Sequence, residues 1–389
     1  MACAHGAQFA NPRDEVHELA NLVDMRLSLM TDVARWKYTH AFPVRDPGRE
    51  AAVLEGVQKQ ANELGLESTA VREFFRVQIE AASELEEQEI LRLQTGDPVG
   101  EVKDLARELR PRLDAIGKQM MASIYLIASD LRQPAQDSQY SLAGEFERAG
   151  LSAQESKEVE SILMRMRLQH PPSLAAIKEA GVLRIATTGD YAPFSAMDGD
   201  SLVGTDIESV AAFAESLHLK PHFMHTTWPT LLNDFSRNEF DIAVGGISIT
   251  PERSAVAKFT AAYHHGGKTP IVRCGTEKAF NTLEQIDLPN VRVIVNPGGT
   301  NEQFVKQRLH RARVTVFPDN TKIFQEIVAG RADVMVTDDA EVDLQVSRNP
   351  ALCRATAATF TISDKAWMLI EEPDLLNLAN AWITSHATR

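Results

Sequence analysis

The chain is poor in cysteine, tryptophan and tyrosine, short of positive charge, and has no long apolar run. No stretch approaches the roughly 18 uninterrupted apolar residues that a membrane-spanning helix needs, so no membrane partner is expected. Lys and Arg number 40 against 54 Asp and Glu, a formal net charge of −14. That balance excludes nucleic acid as a partner, because phosphate backbones are gripped by basic stripes and none is present. The opening MACAHGAQFA has neither a basic start nor an apolar run of roughly 7–15 residues, so it is not a complete signal peptide. An initiator Met set before an already processed sequence would read this way. The cysteines are Cys3, Cys274 and Cys353. None has metal-ligand spacing, so no metal site is expected, and buried free thiols are one reading of them.

With 389 residues there is enough chain for two domains, each with its own core. Residues 14–168 read as helix almost throughout, with apolar residues recurring at three and four and little Pro or Gly. Breaks are expected at Pro43–Gly48, Gly65–Ser68, Thr95–Gly100 and Gln133–Ser138. Gly65 reads as a helix C-cap and Ser68 as the next N-cap. The long segments give a helical bundle, and a shorter helical pair follows at about 139–149 and 152–168.

From His170-Pro171-Pro172 onward the texture changes. Strand-like runs at Val182–Thr187, Phe240–Val244, Val291–Val295, Val314–Phe317 and Val334–Thr337 alternate with helical stretches. Residues 1–13 are expected to be disordered, 14–168 to form the helical domain, 169–173 a short linker, and 174–389 an α/β domain.

In an acidic chain, a cation on a buried face is informative, because an anion is held only where positive charge is concentrated. The first helix carries such cations. Its apolar stripe runs through Leu19, Leu22, Val23, Met30, Val33 and Ala34, and Arg26 and Lys37 fall in phase with it. Eleven helical steps return to within about 20° of the starting direction and span about 16 Å, so two long side chains could clasp one small ligand from its ends. Each could instead pair with a core carboxylate or reach out at a helix end. Asp46-Pro47-Gly48-Arg49-Glu50 opens the next helix with a further cation. The long helix after it turns Val71, Phe74 and Phe75 inward, then Gln78, Ala82, Leu85 and Glu86 on the same face. A buried stripe carrying Gln and Glu describes a polar pocket inside a bundle.

The strings RLSLMTDVARWK, PVRDPGRE and VREFFRVQIEAA resemble the all-helical chorismate mutases of the exported subgroup, over about residues 19–125. The resemblance implies that Arg26 and Arg49 bind substrate carboxylates, that Asp46 and Glu50 contact the ring-hydroxyl side, and that Lys37 and Glu86 flank the ether oxygen. Two positions depart from that pattern. Ala82 stands where a small hydroxyl residue is expected, and Gln119, beside Lys118, where a fourth-helix Arg is usual. A pericyclic rearrangement needs no nucleophile, only a held reactive shape and charge stabilisation at the breaking bond.

The second half opens with LAAIKEAGVLRIATTGDYAPFS and continues through FDIAVGGISITPERS, resembling periplasmic amino-acid-binding proteins with two α/β lobes around a cleft. Its lobes are expected at about 174–267 plus 358–389 and at about 268–357. Arg253 is then the carboxylate clamp, with Ser248 and Thr250 beside it, and Gly298-Gly299-Thr300-Asn301 offers a helix N-terminus from the other lobe. Within that fold, TGDYAPFS, WPTLLNDF, GGKTPIVRC, VNPGGTNEQF and ADVMVTDDAE are similar to the exported cyclohexadienyl (prephenate/arogenate) dehydratases. That similarity makes Glu341 the general acid, assisted by Lys268, Asn296 and Asn301, with Trp228 lining the cleft. Asp338 could receive an ammonium group. Cys274 and Cys353 sit where that family carries cysteines and would pair in an exported protein, leaving Cys3 odd.

The fold expected is therefore multidomain: an all-α helical bundle followed by a two-lobed α/β domain of the periplasmic-binding-protein kind. The activities implied are chorismate to prephenate, then prephenate to phenylpyruvate or arogenate to phenylalanine, with no cofactor. The resemblances also imply a periplasmic location and self-association. A transporter's solute receptor with a helical sensor is the alternative.

Overall fold

The computed structural model describes residues 7–130 and 140–386. Cys3 and the expected break at Gln133–Ser138 lie outside them. The chain forms two compact units, residues 10–182 and residues 183 onward together with the segment up to Phe9. The division at 182/183 assigns the helix Leu174–Ala180 to the helical unit, whereas a boundary at 169–173 assigns it to the second domain. Part of the N-terminal segment expected to be disordered is ordered. Ala7 bridges to Leu202, Phe9 bridges to Phe223, and the Phe9 ring meets His225 edge-on at 5.0 Å. An aromatic side chain tied into a sheet is enough to hold a chain end.

The helical unit contains α1 (Pro12–Ser28), α2 (Met30–Thr39), α3 (Pro47–Glu63), α4 (Ser68–Gln94), α5 (Arg110–Asp130), α6 (Leu142–Arg148), α7 (Ala153–Arg165) and α8 (Leu174–Ala180). Local chemistry sets several starts. Asn11 caps α1 ahead of Pro12, Asp46 caps α3 ahead of Pro47, and Ser152 with Glu155 forms a capping box on α7. The first helix expected from the sequence is interrupted at Leu29. The Ser28 hydroxyl donates to Met25 O at 2.9 Å, a back-bond that bends helices at such a position. Ser68 is the first helical residue of α4 and not its cap. Residues 65–67 instead pair with 167–169, through Glu67 N–H to Arg167 O and Gln169 N–H to Gly65 O.

Helix α4, about 40 Å long at 1.5 Å per residue, is the central rod, and α1, α2, α3 and α7 pack on it. Val71, Phe74, Phe75, Gln78, Ala82 and Glu86 are all buried along it, as their spacing required.

The second unit holds two five-stranded sheets. The first lobe orders its strands Lys220–His225, Val182–Thr187, Ile242–Ala243, Met368–Leu369 and Lys258–Phe259. The second orders Arg313–Val316, Arg292–Val295, Val334–Asp338, Lys268–Arg273 and Leu352–Arg354. The chain crosses between lobes where His264–Gly266 pairs antiparallel with Ser363–Lys365. Cys274 and Cys353 are disulfide-bonded at one end of the second sheet, with Cα atoms 4.9 Å apart.

Two candidate active sites

The first site is a cavity of about 620 Å³ inside the helical unit. It lies within the size range of small-molecule sites. Helix α1 contributes Arg26, α2 Lys37, the start of α3 Asp46, Arg49 and Glu50, and α4 Ala82, Ser83 and Glu86. Arg26 and Lys37 thus meet in one cavity despite the break at Leu29. Gln119 does not line it. It is exposed, and α5 turns Arg110, Asp114 and Lys118 to the cavity instead. Ser83, next to Ala82, supplies a hydroxyl there, although that hydroxyl donates to Ile79 O at 2.9 Å. Asp46 and Glu50 also shape the backbone, since Asp46 accepts from Arg49 N–H and Glu50 accepts from Asp46 N–H.

Two features give this cavity its chemistry. Lys37 Nζ donates to Glu86 Oε2 and to Val44 O, both at 2.6 Å, which fixes the ammonium beside the carboxyl. Burial pushes the Glu86 carboxyl above its ordinary pKa, opposed by Lys37 and Arg26 and aided by Glu50. Arg26 is the second feature. Its Nε is buried without a hydrogen-bond partner, and desolvation holds its pKa below the usual value. An unmade bond from a buried guanidinium is costly, and an entering carboxylate would make it.

The second site lies between the lobes. Tyr191, Trp228, Ser248 and Arg253 of the first lobe face Asn296, Gly299, Thr300, Asn301 and Asp338 of the second, with Lys365 from the crossover. The lobes are shut against each other, leaving a space of about 20 Å³. Gly298 requires its positive φ of 77° and its missing side chain, because a Cβ would come 2.5 Å from Pro229 of the facing lobe. Arg253 is buried, donates to Ser248 O at 2.8 Å, and sits 5.9 Å from the Trp228 ring centroid. Desolvation lowers its pKa to about 10. Thr250 does not line the space. It caps the turn Pro251–Ser254 by accepting from Arg253 N–H, which fixes the backbone that carries Arg253.

Beneath this surface is a buried polar network. Lys268 Nζ donates to Thr300 Oγ1 at 2.8 Å and to Asn301 Oδ1, and lies 2.9 Å from Asp338 Oδ1. Asn301 Nδ2 donates to Asn296 Oδ1 and to Thr337 Oγ1, and Thr337 Oγ1 donates to Glu341 Oε2 at 2.5 Å. Glu341 is 2% exposed and stands one layer behind the cleft wall. Asp190 of the opposite lobe is near enough to act on its pKa. Burial raises that pKa to about 8; Asp338 and Asp190 add to the rise, while Thr337 and Lys268 oppose it. Desolvation brings Lys268 down to about 8 against the attraction of Asp338. Asp338 goes the other way. Burial would raise it, but Lys268 and Lys365 outweigh burial and keep it ionised.

Sequence reasoning missed Tyr191, Lys365 and Arg110 and left Asp338 without a partner. Lys365 had a signal, as a lone cation leading the apolar run Ala366-Trp367-Met368-Leu369.

Two families account for these sites. Residues 183–387 match the bacterial extracellular solute-binding proteins, family 3, and residues 17–87 match chorismate mutase type II. The first match takes in more than half the chain, and the chain belongs to that solute-binding family, with a chorismate mutase type II domain at its N-terminal side. Within the family it is similar to the cyclohexadienyl dehydratase of Pseudomonas aeruginosa, 46% identical over 212 residues that cover 54% of this chain and 79% of the relative. An L-cystine-binding protein of Escherichia coli is 27% identical over 210 residues, covering 53% of this chain and 78% of the relative. Among solved structures, an ancestral amino acid-binding protein described as a precursor of cyclohexadienyl dehydratase matches with TM-score 0.51 and 34% identity. It covers 55% of this chain and 92% of its own.

Proposed function

We infer that the chain carries out two successive steps of phenylalanine biosynthesis, converting chorismate to prephenate in the helical unit and prephenate toward phenylpyruvate in the lobed unit. The single observation that separates this reading from a solute receptor is Glu341, a buried carboxyl held protonated near neutral pH in the cleft network. A receptor needs only a clamp. Breaking bonds needs a proton donor.

In the first unit, Arg26 and Arg49 grip the two carboxylates of the flexible substrate and fold it into its reactive shape. The breaking carbon–oxygen bond puts negative charge on the ether oxygen. Lys37 meets that charge from one side, and Glu86, when protonated, donates from the other.

In the second unit, Arg253 and the N-terminus of the helix Thr300–Arg308 hold the anionic ends. The Glu341 proton resides on Oε1, because Oε2 already accepts from Thr337. It passes to the ring hydroxyl, which leaves as water. The bond between ring and carboxylate breaks, its electron pair enters the ring, and carbon dioxide departs. One proton and the prephenate dianion become phenylpyruvate, water and carbon dioxide, and the new aromatic ring drives the reaction. Lys268, Asn296 and Asn301 fix the geometry around the acid.

The extracellular family supports a periplasmic location, and self-association and independence from a membrane complete the proposal. Among the described residues, no helix is long and apolar enough to cross a membrane. Incubating the protein with prephenate and following phenylpyruvate by its absorbance in alkali tests the reading. Tight prephenate binding without turnover would return the lobed unit to the receptor class.

A further inference from the structure

Residues 7–9 precede the whole helical unit in the chain, yet they are fastened to the first lobe. Leu202 N–H donates to Ala7 O at 2.6 Å, and Phe9 bridges Phe223 of the strand Lys220–His225. The Phe9 ring meets His225 edge-on at 5.0 Å and lies over Gly189. That glycine has a positive φ of 67°, and a Cβ there would stand 3.1 Å from Cε2 and Cζ of Phe9. The missing side chain makes the space that the ring fills. Glycine is also the least restrained residue of a backbone, so a ring packed over it stiffens the turn Thr188-Gly189-Asp190.

The residue that ends this turn joins two parts of the cleft. Asp190 Oδ1 accepts from Trp228 Nε1 at 3.1 Å, and Asp190 O accepts from Asn320 Nδ2 of the second lobe at 2.9 Å. Trp228 lines the cleft, with Tyr191 edge-on to it at 5.5 Å and Arg253 over its ring. Asp190 therefore both orients the indole and makes a contact between the lobes. Phe9 packs on its chain neighbour Gly189 and on His225, which lies near enough to act on the Asp190 carboxyl. Phe9 itself is outside the cleft lining, so any effect on substrate must pass through these residues.

We propose that Phe9 is a positioning residue of the lobed unit: packed on Gly189 and His225, it fixes Asp190, and through Asp190 the Trp228 wall and the closed cleft. This rests on the dehydratase reading.

The test compares prephenate kinetics of the whole chain for wild type, Phe9→Ala and Phe9→Leu, at a temperature where circular dichroism shows all three folded. Phe9→Ala should raise KM about three- to tenfold, the worth of roughly one hydrogen bond, with kcat within about twofold. Phe9→Leu refills the space over Gly189 and should bring KM back to within about twofold of wild type. Mutase kcat/KM in the same samples should not change. A segment that merely anchored the chain end would lower the folded fraction, cutting kcat at constant KM, and that result overturns the proposal. The route is tested by adding Phe9→Ala to Trp228→Phe, which lacks the indole N–H; KM should then change less than about twofold. An equal factor in both backgrounds overturns the route through Asp190. A wild type that binds prephenate without turnover sinks the dehydratase reading, and dissociation constants of the same variants then replace KM with the same expected ratios.

Discussion

Replacing Glu341 with Gln changes one atom group, and its consequences can be worked in both rate and stability. An ordinary glutamic acid with a pKa of 4.5 would be protonated in only about 0.3% of molecules at pH 7, whereas a pKa of about 8 leaves about 90% protonated. Burial therefore raises the population of the acid about 300-fold at neutral pH. Wild-type dehydration should be flat below about pH 8 and fall above it, with Lys268 losing its own proton in the same range. Glu341→Gln should lower kcat by roughly 10²–10⁴, the usual contribution of a positioned acid.

Stability should move the other way. The folded chain keeps a proton on Glu341 that the unfolded chain releases above about pH 4.5, so this group makes wild-type stability fall between about pH 4.5 and 8. The shift corresponds to about 4 kcal/mol by pH 8. Gln cannot titrate, so the variant lacks that decline, and its margin over wild type should grow as pH rises from 5 to 8. Lys268, with its lowered pKa, changes stability only above about pH 8 and in the opposite sense, so it leaves the window clean. Denaturant melts of the whole chain at pH 5, 6.5 and 8, beside initial rates at the same pH, give both readouts. Parallel stability curves, or a rate that climbs from pH 5 to 8 as for a base, would refute the reasoning.

The mutase should lose activity as pH rises through the raised pKa of Glu86, and Glu86→Gln should flatten that profile; chorismate disappearance across pH is the assay, and an unchanged profile removes Glu86 from the role. Gln78 is fully buried with neither amide atom hydrogen-bonded, so the near-isosteric Gln78→Met should stabilise the helical unit by about 1–2 kcal/mol with mutase kcat/KM nearly unchanged. A destabilised variant in thermal melts would show that the amide has partners. The Cys274–Cys353 bond closes a separation of 79 residues, and replacing both with Ser should cost up to about 4 kcal/mol, seen in denaturant melts of the lobed unit. Insensitivity of those melts to reductant would contradict the bond.

How much was legible follows the physics of each segment. The α4 stripe could be read because a 27-residue helix repeats one period without interruption. Lys118 and Arg110 were out of reach because a π-helical turn at Leu105–Leu109 precedes α5. Such a turn adds a residue, and phase counted across it is lost. The strands at Val182–Thr187 and Val334–Asp338 are apolar runs and showed themselves. Ile242–Ala243 shrank to two residues because its neighbours bend into the Gly245-Gly246 turn held by Asp206. Asp338 was visible as a residue but not as a hub, since its partners lie 27, 70 and 147 positions away.

One time course tests the joined account most directly. Chorismate is supplied to the wild-type chain and to Glu341→Gln at neutral pH, and chorismate, prephenate and phenylpyruvate are followed together. The wild type should pass prephenate through a maximum and finish at phenylpyruvate. The variant should consume chorismate at the same rate and stop at prephenate. Phenylpyruvate forming at the wild-type rate in the variant, or chorismate left untouched by both proteins, would contradict the account.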